Sequence, residues 1–209
     1  MNIHSGERRV SPAAKKNVKP LQSDGPKRET ILDAALGLFA ERGFHGTAVP
    51  LVAKAAKVGA GTLYRYFGSK EALANALFQR SKLAFSQSVA GCLSPDLSMR
   101  EMFRATWLQM IAFAQANPRV VAFLELHHHR SYLDEHSLLL EQQALRPIRD
   151  LIAAAQKRGI IKPIGPEVCM ALVFGAFVGL LRAAQDGFLE LTDKVIKDSE
   201  ATLWEAIAV

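Results

Sequence analysis

Residues 61–70 read GTLYRYFGSK. Two glycines bracket Tyr64, Arg65, Tyr66 and Phe67, with Lys70 just beyond, in a segment too short to hold a helix by itself. Leu63 and Phe67 stand four apart, so they share one side of a two-turn helix over 60–67 and need an apolar neighbour. Upstream, Ile31, Leu32, Ala35, Leu38 and Phe39 recur at helical spacing between Lys27 and Arg42, and Gly43 follows where helices end. A short helix from about Ala48 to Ala56 puts Leu51, Val52 and Ala55 on one side. Thr47 suits its N-cap, and Pro50 is tolerated in a first turn whose N–H groups lack intrahelical partners. The KVGAG turn at 57–61 joins the second and third helices into a helix-turn-helix.

The outward side of the third helix carries Ala60, Gly61, Thr62, Tyr64, Arg65 and Tyr66, with Lys70 beyond. Small residues at the start permit close approach to base edges, hydroxyls bond phosphate or bases, and the basic groups supply charge. An ordinary helical hairpin with a solvated basic face has the same pattern, so the distribution of charge helps to decide. The chain has a formal net charge of +6 over 209 residues; the first 80 carry +7 and the other 129 carry −1. A polyanion would meet the N-terminal end.

The remainder reads as helical nearly throughout, so the fold class is all-α. Ser69 caps a helix to about Val89, SMRE at 98–101 is a capping box for a helix to about Ala116, and Asn117-Pro118 opens a short one to about His127. A longer helix from about Glu135 to Arg158 contains Pro147 and stops at Gly159. Gly165-Pro166 opens an apolar helix to about Asp186, and Thr192 caps the last. With 49% apolar residues and mean hydropathy +0.07, the chain is composed to bury a core. The apolar run at 168–181 falls short of the roughly 18 residues that span a bilayer, and the N-terminal stretch lacks the apolar segment of a secretory signal. Cys92 and Cys169 stand far apart, which fits a reduced cytoplasmic setting.

Residues 28–78 resemble the DNA-binding domain of the tetracycline-repressor (TetR) family. The resemblance is carried by Ala34, Phe39 and Gly43-Phe44, by Thr47 ahead of Val52-Ala53, and by Ala56 and Val58 at the turn. Gly61-Thr62-Leu63-Tyr64, Tyr66-Phe67 and Lys70-Glu71 complete it. It implies a homodimeric one-component transcription regulator, usually a repressor released from operator DNA by a small-molecule effector, with no cofactor, no metal and no enzymatic step. It implies three parts: a flexible basic arm at 1–26, the helix-turn-helix domain at 27–79, and an effector-binding and dimerisation domain at 80–209. On matching positions, Thr47, Tyr64, Tyr66 and Lys70 would mainly contact phosphate. Ala60, Gly61, Thr62 and Arg65 would lie nearest the bases, and Lys57 joins the DNA-facing set. Two positions depart from the family pattern: Lys57 stands where glycine usually precedes the valine, and Pro50 where some members place a polar base-contacting residue.

Arg8, Arg9, Lys15, Lys16 and Lys19 of the arm suit either a minor-groove and phosphate role or a merely solubilising tail. Family analogy places an effector cavity among the middle helices, with Phe103, Trp107, Met110, Phe123, His127, Phe174 and Phe177 as its candidates. At helical spacing most such side chains belong to a core. GAFVG at 175–179 is a small-xxx-small step that fits close packing within the protomer or, preferably, across a dimer, so Gly175, Gly179 and Trp204 are interface candidates.

The run His127–His129 invites a second class, a helical metal-dependent enzyme. Adjacent histidines on a helix point about 100° apart and cannot all converge on one ion, so a helix-end polar cluster or cavity wall is the better reading. A nonspecific nucleic-acid-binding module is a third class, separable by footprinting, because only a sequence-specific dimer leaves a bounded palindromic footprint.

Overall fold

The computed structural model describes residues 25–125 and 129–209; the basic arm, apart from 25 and 26, and His127 lie outside them. Among the described residues the order is α1 (Gly25–Arg42), α2 (Val49–Ala55), α3 (Ala60–Phe67), α4 (Lys70–Ala90), α5 (Met99–Ala116), α6 (Pro118–Glu125), α7 (Glu135–Lys157), α8 (Pro166–Gln185) and α9 (Asp193–Ile207). Local chemistry accounts for many of these boundaries. Ser69, Asp134 and Thr192 accept the backbone N–H of Ala72, Ser137 and Val195, and Ser98 and Glu101 form the full capping box of α5. The nearest approach to a strand is an isolated antiparallel bridge, Ile161 to Ala208, which pins the C-terminus beside the α7–α8 connection.

Helix α2 corrects the expectation for its own start and face. Its N-cap is Ala48, without a side-chain cap, and Pro50 lies in its first turn. Thr47 is buried, and its hydroxyl lies 2.9 Å from the carbonyl oxygen of Gly43 and 3.2 Å from that of Leu38, so it ties the loop to α1. The buried side of this segment is Val49, Val52, Ala53 and Ala56, at i, i+3, i+4 and i+7. Leu51 falls off that stripe and is 39% exposed, and Ala55 is exposed as well. The loop is tight: a Cβ on Gly46 would lie 2.3 Å from the Arg42 carbonyl oxygen, so a larger residue would force the backbone apart.

The α1–α3 core is closed by later parts of the chain. Ile31, Leu32, Phe39, Val52, Leu63 and Phe67 pack with Leu73, Leu77 and Phe78 of α4, and also with Phe123 and Leu124 of α6 and with Tyr132. Phe39 stacks on Phe123 at 6.1 Å, and Phe44 on Tyr132 at 4.0 Å. On the surface, the Arg80 guanidinium reaches Glu29 and Asp33, at 2.8 Å each, fastening α4 to α1.

A buried polar node fixes α4 against the α6–α7 connection. Asn75 donates to the carbonyl oxygens of Glu71 (2.9 Å) and Tyr132 (2.8 Å) and accepts from the Asp134 N–H (2.9 Å) and the Ser137 hydroxyl (2.7 Å). Beyond it, Trp107, Met110, Ile111, Phe177 and Ile196 form a second core, and Phe103, Ile152, Ile161, Cys169 and Ile207 a third. By length and composition alone α8, at 20 residues, is long and apolar enough to cross a bilayer, which the shorter run at 168–181 did not suggest. It packs against α7, and only Cys169 and Phe177 of its side chains are fully buried.

Lys57 adopts φ +54°, the left-handed region that costs a residue with a Cβ roughly 1–2 kcal/mol. Lys57→Gly relieves this strain while gaining unfolded-state freedom, so it is expected to stabilise the fold by about 0.5–1 kcal/mol in urea denaturation. Asn75→Ala is expected to cost about 2–3 kcal/mol in the same assay, because it takes a partner from the buried Tyr132 carbonyl and from the buried Ser137 hydroxyl.

Candidate DNA-reading surface and the cavity behind it

Helix α3 presents the surface read from the sequence. Its inner residues, Leu63 and Phe67, are buried, whereas Gly59, Ala60, Gly61, Tyr64 and Arg65 are exposed and Thr62 is half-buried. A Cβ on Gly61 would meet nothing within 4 Å, so nothing in the described protein requires a glycine there; the small residue leaves room for an outside partner. Lys54 and Lys57 are exposed beside this helix. The Arg65 guanidinium lies 5.5 Å from the Tyr66 ring centroid, and Lys70 Nζ stands 4.2 Å from the centroid of Phe44. Two expected phosphate contacts are placed differently. Thr47 has its side chain buried, and Tyr66 is half-buried with its ring against the α1–α3 core.

Behind this surface lies a cavity of about 940 Å³, walled by α4, α6, α7 and α8 and by the segment at 129–133. An inner chamber of about 150 Å³ continues it towards α5 and the C-terminus, sharing Phe85, Val89, Ile148, Met170 and Phe174 as common wall. Of the side chains expected at an effector site, Phe103, Met110 and Phe174 line this space. Trp107, Phe123 and Phe177 do not. Trp107 is in the second core, its indole N–H donating to the Ile196 carbonyl at 3.3 Å; Phe177 packs beside it, and Phe123 is buried against Phe39. Large aromatics at helical spacing filled core here.

The cavity's polar groups were not anticipated. Lys82 Nζ lies 3.1 Å from Glu141 and 3.6 Å from Glu125, with the Lys82 and Glu125 side chains only 15% exposed. Burial pushes the Glu125 carboxyl above its ordinary value, and Lys82 pulls the other way. The available signal was the α4 stripe Phe78, Lys82, Phe85 and Val89, which places a lysine in an apolar row.

His129 also lines the cavity, and its ring is fully engaged. Nε2 lies 2.6 Å from the Phe123 carbonyl oxygen, which only accepts, so Nε2 carries the proton; Nδ1 faces the Tyr132 hydroxyl. Burial pushes the Tyr132 phenol up to about 12, which keeps it a donor. Both ring nitrogens of His129 are thus engaged within the protein, and the described residues contain no group of three or more possible metal ligands.

On α8, Val168, Leu172, Gly175 and Gly179 form an exposed stripe, and a Cβ on either glycine would meet nothing within 4 Å. Close packing within the protomer, one reading of GAFVG, is thereby corrected. Trp204 lies elsewhere, packed in its own protomer against Phe103 and Arg100, each about 5.4 Å from its ring.

The head geometry and the comparisons with known proteins agree. The family described as "Bacterial regulatory proteins, tetR family" matches residues 31–77, and "Tetracyclin repressor-like, C-terminal domain" matches 78–209. The chain belongs to the TetR family. It is similar to the HTH-type transcriptional regulator UidR of Escherichia coli K12, with 30% identity over 151 residues, covering 66% of this chain and 70% of that one. It is also similar to the HTH-type transcriptional repressor NicS of Pseudomonas putida, at 27% identity over 75% of this chain and 74% of the relative. A solved TetR family protein from Vibrio parahaemolyticus superposes with TM-score 0.73 at 30% identity, covering 88% of this chain and 99% of that one. The protein is therefore a DNA-binding transcriptional regulator.

Lys70→Ala is expected to weaken binding to all DNA sequences and to lower the salt-dependence slope by about one, the signature of one phosphate neutralised. Thr62→Ala is expected to change base preference while leaving the slope in place. Anisotropy titrations over a series of salt concentrations separate the two.

Proposed function

We propose that this TetR-family protein is a homodimeric repressor that holds an operator with one α3 from each protomer and releases it when a small molecule occupies the cavity. One observation carries the reading: the cavity wall touches the DNA head through a chain of packed rings. His129 faces the cavity and meets Tyr132, Tyr132 stacks on Phe44, and Lys70 lies over Phe44. A molecule that shifts the cavity wall therefore acts on the side chains that position the head. It favours release in proportion to its preference for the released arrangement over the bound one.

In this reading Ala60, Gly61, Thr62 and Arg65 approach base edges, while Lys57, Tyr64 and Lys70 contact phosphate. The repressor sign follows the name of the NicS relative. The protein acts where the DNA is, in the cytoplasm, and needs no cofactor or catalytic step. The α8 stripe supplies the dimer contact, since Val168 is 48% exposed, Leu172 51% exposed, and the two glycines allow a partner helix to come close.

Footprinting of the intact chain on the DNA upstream of its own gene tests the function. A bounded palindromic footprint with half-sites about 34–36 Å apart is expected. One chain bound to a non-palindromic site overturns the dimeric reading.

Gly179→Leu tests the interface. The Cβ of the new side chain meets nothing within 4 Å in its own protomer, the position is exposed, and leucine raises helix propensity by about 0.8 kcal/mol, so the protomer is expected to keep its helical circular dichroism. Sedimentation should show a monomer, with operator affinity lost although no DNA-facing residue has changed. A well-folded dimer with normal operator affinity removes α8 from the interface.

A further inference from the structure

We infer that the effector is an amphipathic cation, an elongated apolar molecule whose positively charged nitrogen is held by Glu125 and Glu141 in the place that Lys82 occupies in this structure. The inference rests on the effector reading of the cavity and specifies its chemical class.

Shape sets the first requirement. From Phe78 to Val89 the lining stretch of α4 covers about 16 Å of helix axis. The inner chamber adds a wall that is apolar except for the Thr106 hydroxyl and the Cys169 thiol. A molecule filling both spaces has a long apolar body directed inward, and its polar end stays near the outer opening.

Charge sets the second. Among the described residues lining the cavity, the paired ionisable groups are one ammonium, Lys82, and the two carboxylates that share it, Glu125, which is sheltered, and Glu141, whose side chain is 36% exposed. Arg130 also lines the wall but is exposed to solvent, where its field is screened. Arg182 is exposed too and donates to the backbone carbonyl of Glu125 at 3.3 Å. His129 has both nitrogens engaged. Two carboxylates thus share one cavity-lining ammonium; burial is the main cause that raises the Glu125 carboxyl, with Glu141 adding to it and Lys82 and Arg182 opposing it.

An anionic head would have to take Lys82 from the glutamates and leave a buried carboxylate without a partner, which is costly. A neutral head gains neither contact. A cationic head pairs with both carboxylates while the displaced Lys82, on its flexible stem, turns towards the outer opening and solvent, and Phe78, Phe85 and Phe174 line the wall beside a methylated nitrogen. Such a head also competes with Lys82 for groups on α6 and α7. Winning that competition loosens α4 from both helices, so the ligand has unequal affinity for two positions of α4.

Three probes with one tail and different heads test this on the intact chain: dodecyltrimethylammonium, dodecanol and dodecanoate, each below its micelle concentration, titrated by calorimetry. The trimethylammonium probe is expected to bind about tenfold tighter than dodecanoate. Lys82→Met should widen that gap, because the internal competitor is gone. Glu125→Gln with Glu141→Gln should reverse it, because Lys82 is then left for a carboxylate. Thermal melts confirm that the variants fold, and the wild-type order decides the matter even where a variant does not. Dodecanoate binding as tightly as the cation, or an order unmoved in the folded double variant, overturns the proposal. Equal binding of all three probes leaves the effector reading standing and removes the charge class. If no probe binds while operator binding is intact, both the charge class and the effector reading of the cavity fall.

Discussion

Asn75 uses all of its amide hydrogen-bonding capacity inside the protein, and the placement of α4 depends on it. Its amide joins the α4 backbone to a carbonyl and an N–H of the α6–α7 connection and to the Ser137 hydroxyl in the first turn of α7. A buried amide satisfied in this way tolerates one register of the two elements, because any slip leaves several polar groups unpaired at once. Helix α4 does two jobs from that position. Its first turns, through Leu73, Ala74, Leu77 and Phe78, complete the core beneath the helix-turn-helix, and its later turns, through Lys82, Phe85 and Val89, wall the cavity.

The two jobs meet in a small set of groups. Lys82 answers to α6 and α7, Arg80 to α1, and Asn75 to the connection between α6 and α7. Polar bonds of defined geometry therefore set how α4 lies, while apolar contacts supply most of the burial around it. Of these groups, Lys82 lines the cavity and Arg80 fastens α4 to the first helix of the DNA head.

Much of this was legible in the sequence where the information is local. The capping box Ser98–Glu101, the caps Ser69 and Thr192, the stops at Gly43 and Gly159 and the pairing of Leu63 with Phe67 all depend on residues within a few positions of one another. The departure at Lys57 was also visible, and the structure gives its meaning as a lysine held at positive φ. What escaped was either long-range or a matter of helix phase. Lys82 meets Glu125 and Glu141 across three helices, and no spacing rule joins them. Trp107, Phe123 and Phe177 have the composition of a cavity wall, but whether a large aromatic faces a void or another side chain is settled only by packing. Leu51 and Thr47 were misplaced because α2 is barely two turns long, and a shift of one residue turns its inner face outward.

Phe123, Leu124 and Tyr132 have a consequence for modularity. These three side chains come from the body of the protein, yet they seal the core of the DNA-reading head. The head is consequently not a cartridge that can be cut at residue 78 and moved to another scaffold. A chimera joining this head to a foreign body must also inherit matching partners for Phe39 and Phe44, or it exposes the aromatic floor on which the helix-turn-helix stands. Sequence drift in α6, far from any DNA, is thereby constrained by the head that rests upon it.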